Sequence, residues 1–180
     1  MKICKRLLSI IFLIFYRMVA MRLPHSFWPA GWIFSAIRRF ALIGMGCKVG
    51  RGCELEPGID VGFRPRLQIG ERCQINQNTM LKTVCIGNDV MIAPGVVMLD
   101  RQHNFSDVNM PMSMQGSSSR NLTNVGNDVW IGQNVIIMPG VSIGNGVIVG
   151  AGSVVTKDLP DWSVAVGVPA KVIRFRKVVS

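Results

Sequence analysis

The chain has 180 residues, 49% of them hydrophobic, and carries twenty Lys or Arg against ten Asp or Glu, for a formal net charge of +10. That length holds one domain with extensions and excludes two full domains. Five cysteines, an odd number with no CxxC pair, exclude a disulfide framework or zinc ribbon and fit a reducing, cytoplasmic setting.

Residues 1–45 read as a basic, apolar helical extension. Residues 1–51 hold nine cations (Lys2, Lys5, Arg6, Arg17, Arg22, Arg38, Arg39, Lys48 and Arg51) and no acid. Residues 171–177 add Lys171, Arg174, Arg176 and Lys177, so the positive charge belongs to the chain ends and the middle is mildly acidic. The run Leu7–Tyr16 is LLSIIFLIFY, ten residues closed by Arg17. A bilayer span needs about 20 mostly apolar residues, so the run is short for crossing. A secretory signal also starts basic and apolar, but Arg17 stands where a cleavage region belongs. Two readings fit equally: a helix lying in a membrane interface, held by anionic lipid, and a cap packed on the end of the fold. Residues 27–42 predict a second helix, with Trp28 and Trp32 suited to either reading.

From residue 46 a six-residue period takes over. Val125, Ile131, Ile137, Ile143, Val149 and Val155 are six apart, and Gly126, Gly132, Gly144 and Gly150 follow four of them. Four places after each of the first five stand Val129, Val135, Val141, Val147 and Ser153. Six fits neither the helix period of about 3.6 nor the strand period of about 2. It predicts a parallel β-helix: the aliphatic residue points inward and the glycine supplies the turn geometry at a corner. Val49, Leu55, Ile69, Ile75, Leu81, Ile86, Ile92 and Met98 continue the series upstream. The step from Leu81 to Ile86 is one residue short. The stretch from Leu55 to Ile69, with Pro57, Gly58, Gly62 and Pro65, breaks phase and predicts a distorted coil or small loop. Cys53 and Cys73 fall in the companion slot as small core residues. The solenoid is expected over 46–159, with residues 160–180 as a C-terminal cap and tail.

One long interruption, residues 99–124, divides the hexads. It is polar and rich in Ser, Asn and Met, and a loop of this length in a compact repeat protein marks a functional or disordered segment. It carries His103, one of two histidines; the other, His25, lies in LPHSFWP without chemical neighbours. Asp100 and Asp107 flank His103 and could orient its ring or simply solvate the loop. The period turns Trp130, in VWIG, away from the coil interior, where it suits sugar stacking or a subunit contact.

The run VGNDVWIGQNVIIMPGVSIGNGVIVGAGSVVTKDLPDWSVAVGVPAKVIR resembles the C-terminal half of the hexapeptide-repeat acetyltransferases. It is most similar to the galactoside, nodulation and serine O-acetyltransferase branch, which includes sugar O-acetyltransferases of surface-polysaccharide clusters. The resemblance covers about residues 46–176, is strong from Val125 to Arg174, and is absent from residues 1–40. It implies a left-handed parallel β-helix, a homotrimer, and acetyl-CoA lying between neighbouring solenoids as the donor substrate. It also implies that His103 is the catalytic base, and the chemistry agrees. Acetyl-CoA is already a thioester, so a base near neutral pH that activates an acceptor hydroxyl is sufficient.

By the same resemblance Asn76, in INQN, helps hold the acceptor, with Asp100, Asp107 and Trp130 as further candidates. Gly150 and Ala151 in GAGS let the pantetheine arm approach the backbone. Thr156 and Lys157, with Lys171 and Arg174 in PAKVIR, match groups near the nucleotide phosphates, where anionic CoA favours cations. Arg176 and Lys177 read as a solvated tail. The loop sequence RQHNF replaces the glycine-histidine-proline of galactoside-type relatives, and Gln133 stands where a smaller polar residue is common. Both departures bear on the acceptor more than on the donor.

The expected activity is O-acetyl transfer to a sugar, free or lipid-linked, in surface-polysaccharide synthesis, with residues 1–22 touching the cytoplasmic membrane face. A small acceptor such as an antibiotic or serine is the alternative. No nucleic acid and no metal is expected. A γ-type carbonic anhydrase on this fold needs three histidine ligands, and a non-catalytic solenoid would show outward threonine rows without a histidine loop.

Overall fold

The structure is a computed structural model and describes residues 2–63 and 65–177, with side chains from residue 6 onward. The side chains of Lys2, Cys4 and Lys5 therefore lie outside the described residues.

The hexads build a parallel β-solenoid of about six coils with three faces. The first face stacks Lys48–Val49, Arg66–Ile69, Thr83–Ile86, Thr123–Val125 and Ser142–Ile143. The second stacks Glu54–Leu55, Gln74–Ile75, Met91–Ile92, Trp130–Ile131, Ile148–Val149 and Ser163–Gly167. The third stacks Met80–Leu81, Val97–Met98, Ile136–Ile137 and Val154–Val155. Coils repeat in register, as in Trp130 beside Met91 and Ile148, and Ile131 beside Ile92 and Val149. Two-residue strands cannot stand alone; each is fixed by the coils above and below it. The inward series is buried throughout, and Ile131, Ile137, Val155, Leu55, Leu81, Ile92 and Met98 have no exposed surface.

Three details differ from the sequence expectation. The series does not break at Leu55: Val61, six residues on, is buried, and Asp60 bridges in parallel to Met80 to form the third side of the first coil. The first face resumes at Arg66–Ile69. At the other end the parallel ladder runs past residue 159, because Leu159 bridges to Ile143 and Val164 and Ala165 pair with Ile148 and Val149. The last strand, Ala170–Phe175, then folds back antiparallel on Ser163–Gly167 and closes the open end.

The third difference concerns the hexad glycines. Gly126, Gly132, Gly144 and Gly150 are not among the residues with positive φ; those are the later corner residues Asp128, Asn134, Gly146 and Gly152. The hexad glycines are required by close approach between coils. A Cβ on Gly132 would stand 2.5 Å from the Ala151 nitrogen, and one on Gly144 2.6 Å from the Asp161 nitrogen. Along the corner that holds Gly126 and Gly144, side-chain oxygens of Asn88, Asn127, Asn145 and Asp161 accept the N–H of Glu71, Asn88, Asn127 and Asn145 at 2.8–2.9 Å. This ladder satisfies corner donors that no strand partner reaches.

The N-terminal extension caps the first coil. Helix α1 spans Lys2–Met18 and helix α2 Gly31–Gly44. The second begins later than residue 27 because Pro29 and a left-handed Ala30 (φ 60°) end a turn there. The Tyr16 hydroxyl donates to the Ile59 carbonyl at 2.8 Å, and burial raises its pKa. Arg38, fully buried, donates to the carbonyls of Leu55 (2.9 Å), Leu23 and Pro24. Burial lowers its pKa, and nearby Glu56 opposes that shift. The outer side of α1 remains apolar and uncovered: Leu7, Ile10, Ile11, Ile14 and Met18 are each more than half exposed.

Candidate functional site

The chain leaves the third face after Met98 and returns to the first at Thr123. Its root is one carboxylate. Asp100 is 3% exposed, and its Oδ2 accepts from the Thr83 hydroxyl at 3.0 Å and from Arg120 Nε at 3.2 Å. Arg101 Nε lies 3.7 Å from Oδ1, and the Asp100 carbonyl accepts the Asn121 N–H at 2.8 Å. Above this root the loop is a narrow antiparallel ribbon. Ser118 N–H donates to the Gln102 carbonyl at 2.9 Å, His103 bridges to Ser117, and Asn104 N–H donates to the Gly116 carbonyl at 3.1 Å.

His103 is exposed on this ribbon, and its Nδ1 lies 3.3 Å from the Gly116 carbonyl oxygen. A carbonyl only accepts, so in the neutral ring Nδ1 carries the proton and Nε2 the lone pair. That is the tautomer a general base needs. The orienting group is therefore backbone. Neither flanking carboxylate is turned to the histidine: Asp100 is spent on the loop root, and Asp107 Oδ1 accepts the Asn109 N–H at 2.9 Å. Gln115 fixes the loop tip, donating to the carbonyls of Asp107 and Met110 at 2.7 and 2.8 Å.

A cavity of about 360 Å³ lies on the second face between Asn76, Ala93, Pro94 and Trp130. Trp130 points outward, half exposed, as the period requires. Asn76 donates one N–H to the Ile92 carbonyl at 2.9 Å, which turns its amide along the wall of the cavity. Asn76 and Trp130 are thus brought together, while His103, Asp100 and Asp107 do not line this cavity.

The residues expected near the donor gather at the C-terminal end. Gly150 lies against the closing hairpin, where a Cβ would stand 2.7 Å from Val166 Cγ1. Ala151, Thr156 and Lys157 are exposed on the last full coil; Lys171 and Arg174 are exposed on Ala170–Phe175, opposite Val166 and Val164. Arg176 and Lys177 are not a solvated tail. Arg176 pairs with Asp128 at 3.1 Å and donates to the Gly146 carbonyl at 2.9 Å, and Lys177 Nζ lies 3.7 Å from the Trp162 ring centroid. Thr83 and Arg120 were missed in the sequence, because only the fold brings them to Asp100.

His25 pairs with Glu56 at 3.1 Å and stacks on Phe27, and no cluster of three metal-ligating side chains occurs among the described residues. No described helix is long and apolar enough to cross a membrane.

Residues 123–157 match the bacterial transferase hexapeptide (six repeats) family. A galactoside acetyltransferase solved in complex with coenzyme A superposes with a TM-score of 0.75 and 30% identity, over 96% of this chain and 81% of that one. The chain belongs to the hexapeptide-repeat acetyltransferases. Within that family, galactoside O-acetyltransferase of Escherichia coli K12 is 38% identical over 133 residues, which are 72% of this chain and 64% of the relative. WbbJ of the same organism, a candidate lipopolysaccharide biosynthesis O-acetyl transferase, is 37% identical over 119 residues, 62% of this chain and 59% of the relative. The chain therefore spans less than two thirds of the length of either relative.

Proposed function

We propose that the chain transfers the acetyl group of acetyl-CoA to a hydroxyl of a sugar. The observation that carries this reading is His103, fixed through Nδ1 by a backbone carbonyl, on a ribbon anchored to a rigid solenoid. In the step, the acceptor O–H gives its proton to His103 Nε2 as its oxygen attacks the thioester carbonyl. The tetrahedral intermediate collapses, the C–S bond breaks, and the leaving thiolate takes the proton back from the imidazolium. The products are the acetyl ester and CoA–SH. The test is a panel of glycosides, antibiotics and serine with acetyl-CoA, read by free thiol release. Glycosides should give turnover, and His103→Ala should lower kcat by about 10²–10⁴ with acetyl-CoA binding retained. A variant that keeps more than roughly a tenth of wild-type turnover removes His103 from the mechanism.

The finer reading is a homotrimer acting on a lipid-linked or nascent surface polysaccharide at the cytoplasmic membrane face. Similarity to WbbJ supports the polysaccharide acceptor. The uncovered apolar face of α1 suits an interfacial helix, and Arg6 and Arg22 in the same segment could meet anionic lipid, whereas Arg17 is paired with Asp60 at 2.9 Å. The same helix caps the first coil on its inner side, so the interfacial reading concerns its outer side alone. Three copies on one trimer would multiply a weak individual affinity. Wild-type protein should float with anionic liposomes and release in high salt; protein that never floats favours a free acceptor.

A further inference from the structure

Three adjoining cavities form one groove between α1 and the first face. The outermost, about 520 Å³, is bounded on α1 by Arg6, Ser9, Ile10 and Leu13. The second, about 570 Å³, shares Ser9, Met45, Phe63 and Pro65 with it and continues to Arg66 and Arg120. The third, about 370 Å³, shares Pro65, Arg66 and Arg120 and reaches Lys48, Gln68 and Leu122. Arg6, Lys48, Arg66 and Arg120 line the groove, and among the described residues no carboxylate does. Lys48 and Arg66 stand on outward positions of their strands, so no core packing explains them.

The chemistry is ordered along the groove. One end opens beside the uncovered apolar face of α1, where Ile10 is half exposed. The middle is cationic. Arg120, which lines both the second and the third cavity, meets Asp100 of the loop root at 3.2 Å. His103 lies three residues up the ribbon from Asp100, roughly 10 Å at the usual rise of a strand. That is about the reach of one or two sugar rings.

We propose that this groove binds the phosphate of a lipid-borne phosphorylated sugar, with the lipid against α1 and the sugar directed toward the loop. The sugar end rests on the acetyl-transfer reading above; the phosphate site stands on the groove itself. Lys48 and Arg66 hold the phosphate by charge-assisted hydrogen bonds. Arg120 stands beside the site and stays tied to the loop root.

The test is calorimetry on the full chain at low salt with saturating coenzyme A, so that the donor site is already filled. Geranyl diphosphate, inorganic pyrophosphate and geraniol are titrated into wild type, His103→Ala and the double variant Lys48→Gln/Arg66→Gln. Geranyl diphosphate should bind once per chain, more tightly than pyrophosphate, and geraniol should not bind measurably. The double variant should weaken diphosphate binding about tenfold or more, with an unchanged melting temperature. His103→Ala should bind as wild type does. Absence of diphosphate binding, or a double variant that binds as wild type, overturns the proposal. Pyrophosphate as tight as geranyl diphosphate overturns the lipid-borne source and assigns the groove to a free phosphorylated sugar. Diphosphate binding without acetyl transfer to any glycoside defeats the proposed function and leaves the groove standing. Acetyl transfer without diphosphate binding does the reverse.

Discussion

Replacing Asp100 by alanine should release the loop while leaving the solenoid folded. The carboxylate is 3% exposed and accepts from the Thr83 hydroxyl and the Arg120 guanidinium. Removing one partner of a fully buried charge pair costs about 3–5 kcal/mol. Here Arg120 and Arg101 are a third to a half exposed, at 32% and 48%, so water takes over part of their solvation. A loss of about 2–3 kcal/mol remains, most of it from the buried Thr83 hydroxyl and the Arg120 bond. Asp100→Asn keeps an acceptor for Thr83 and should lose about 1–2 kcal/mol. The loss should fall on the loop, because the carboxylate joins the ribbon to the first face and the coils keep their own ladders. Amide exchange at Asn121 and Ser118, both bonded across the ribbon, should speed up about 30- to 150-fold in the alanine variant. Exchange in the Trp130–Ile137 coil should not change. Turnover should fall with loop opening, since His103 is held only by this ribbon. A Thr83→Val/Asp100→Ala double variant should cost less than the sum of the two singles. Unchanged exchange at Asn121 in Asp100→Ala, with melting and turnover as in wild type, would refute the anchor.

Lys157→Ala and Lys171→Ala should raise the KM for acetyl-CoA more than they lower kcat, because phosphate contacts bind ground and transition states alike. Added salt should weaken the same step, and normal CoA binding by both variants in calorimetry would assign these cations elsewhere. Sedimentation should give a trimer. Val108→Asp, at the most exposed apolar position of the loop (92%), should shift the species toward monomer and lower activity with it. An active monomer would contradict a site shared between copies.

Much of the fold was legible because a solenoid writes its period directly into the chain. Burial of Ile131, Ile137 and Val155 follows from the spacing alone, and so does the outward turn of Trp130. The reason for the hexad glycines was not legible. A glycine in sequence does not say whether it is needed for φ or for space, and only the neighbouring coil at Ala151 or Asp161 decides for space. Val61 was hidden because prolines and glycines on either side of it imitate a loop. At the site, His103 could be found as the histidine of the long loop, but its partner could not. Asp100 and Asp107 are its neighbours in sequence, whereas the group that meets Nδ1 is the carbonyl of Gly116, thirteen residues away. A backbone acceptor carries no residue signature. The Asn88, Asn127 and Asn145 ladder did leave one, the recurring Gly-Asn before three of the second-face strands. Its meaning depends on the neighbouring coil.

The division between a rigid scaffold and an exposed loop bears on how such a base could work. Residues 101–114 are all exposed, and they include Phe105 (64%), Val108 (92%), Met112 (63%) and Met114 (71%). A base in open water gains little, because the attacking oxygen stays solvated and the imidazolium is screened. The loop therefore needs a cover, and its apolar side chains are suited to meeting one. A neighbouring copy of this chain is the cover the proposed trimer supplies. It would place a second face, with Asn76 and Trp130, against a foreign loop. This accounts for a feature the single chain leaves unexplained: the cavity beside Trp130 contains no base, and the loop histidine does not line it. On that reading the two halves of the site lie on different copies, and the stiffness of the Asp100 root sets how accurately they meet.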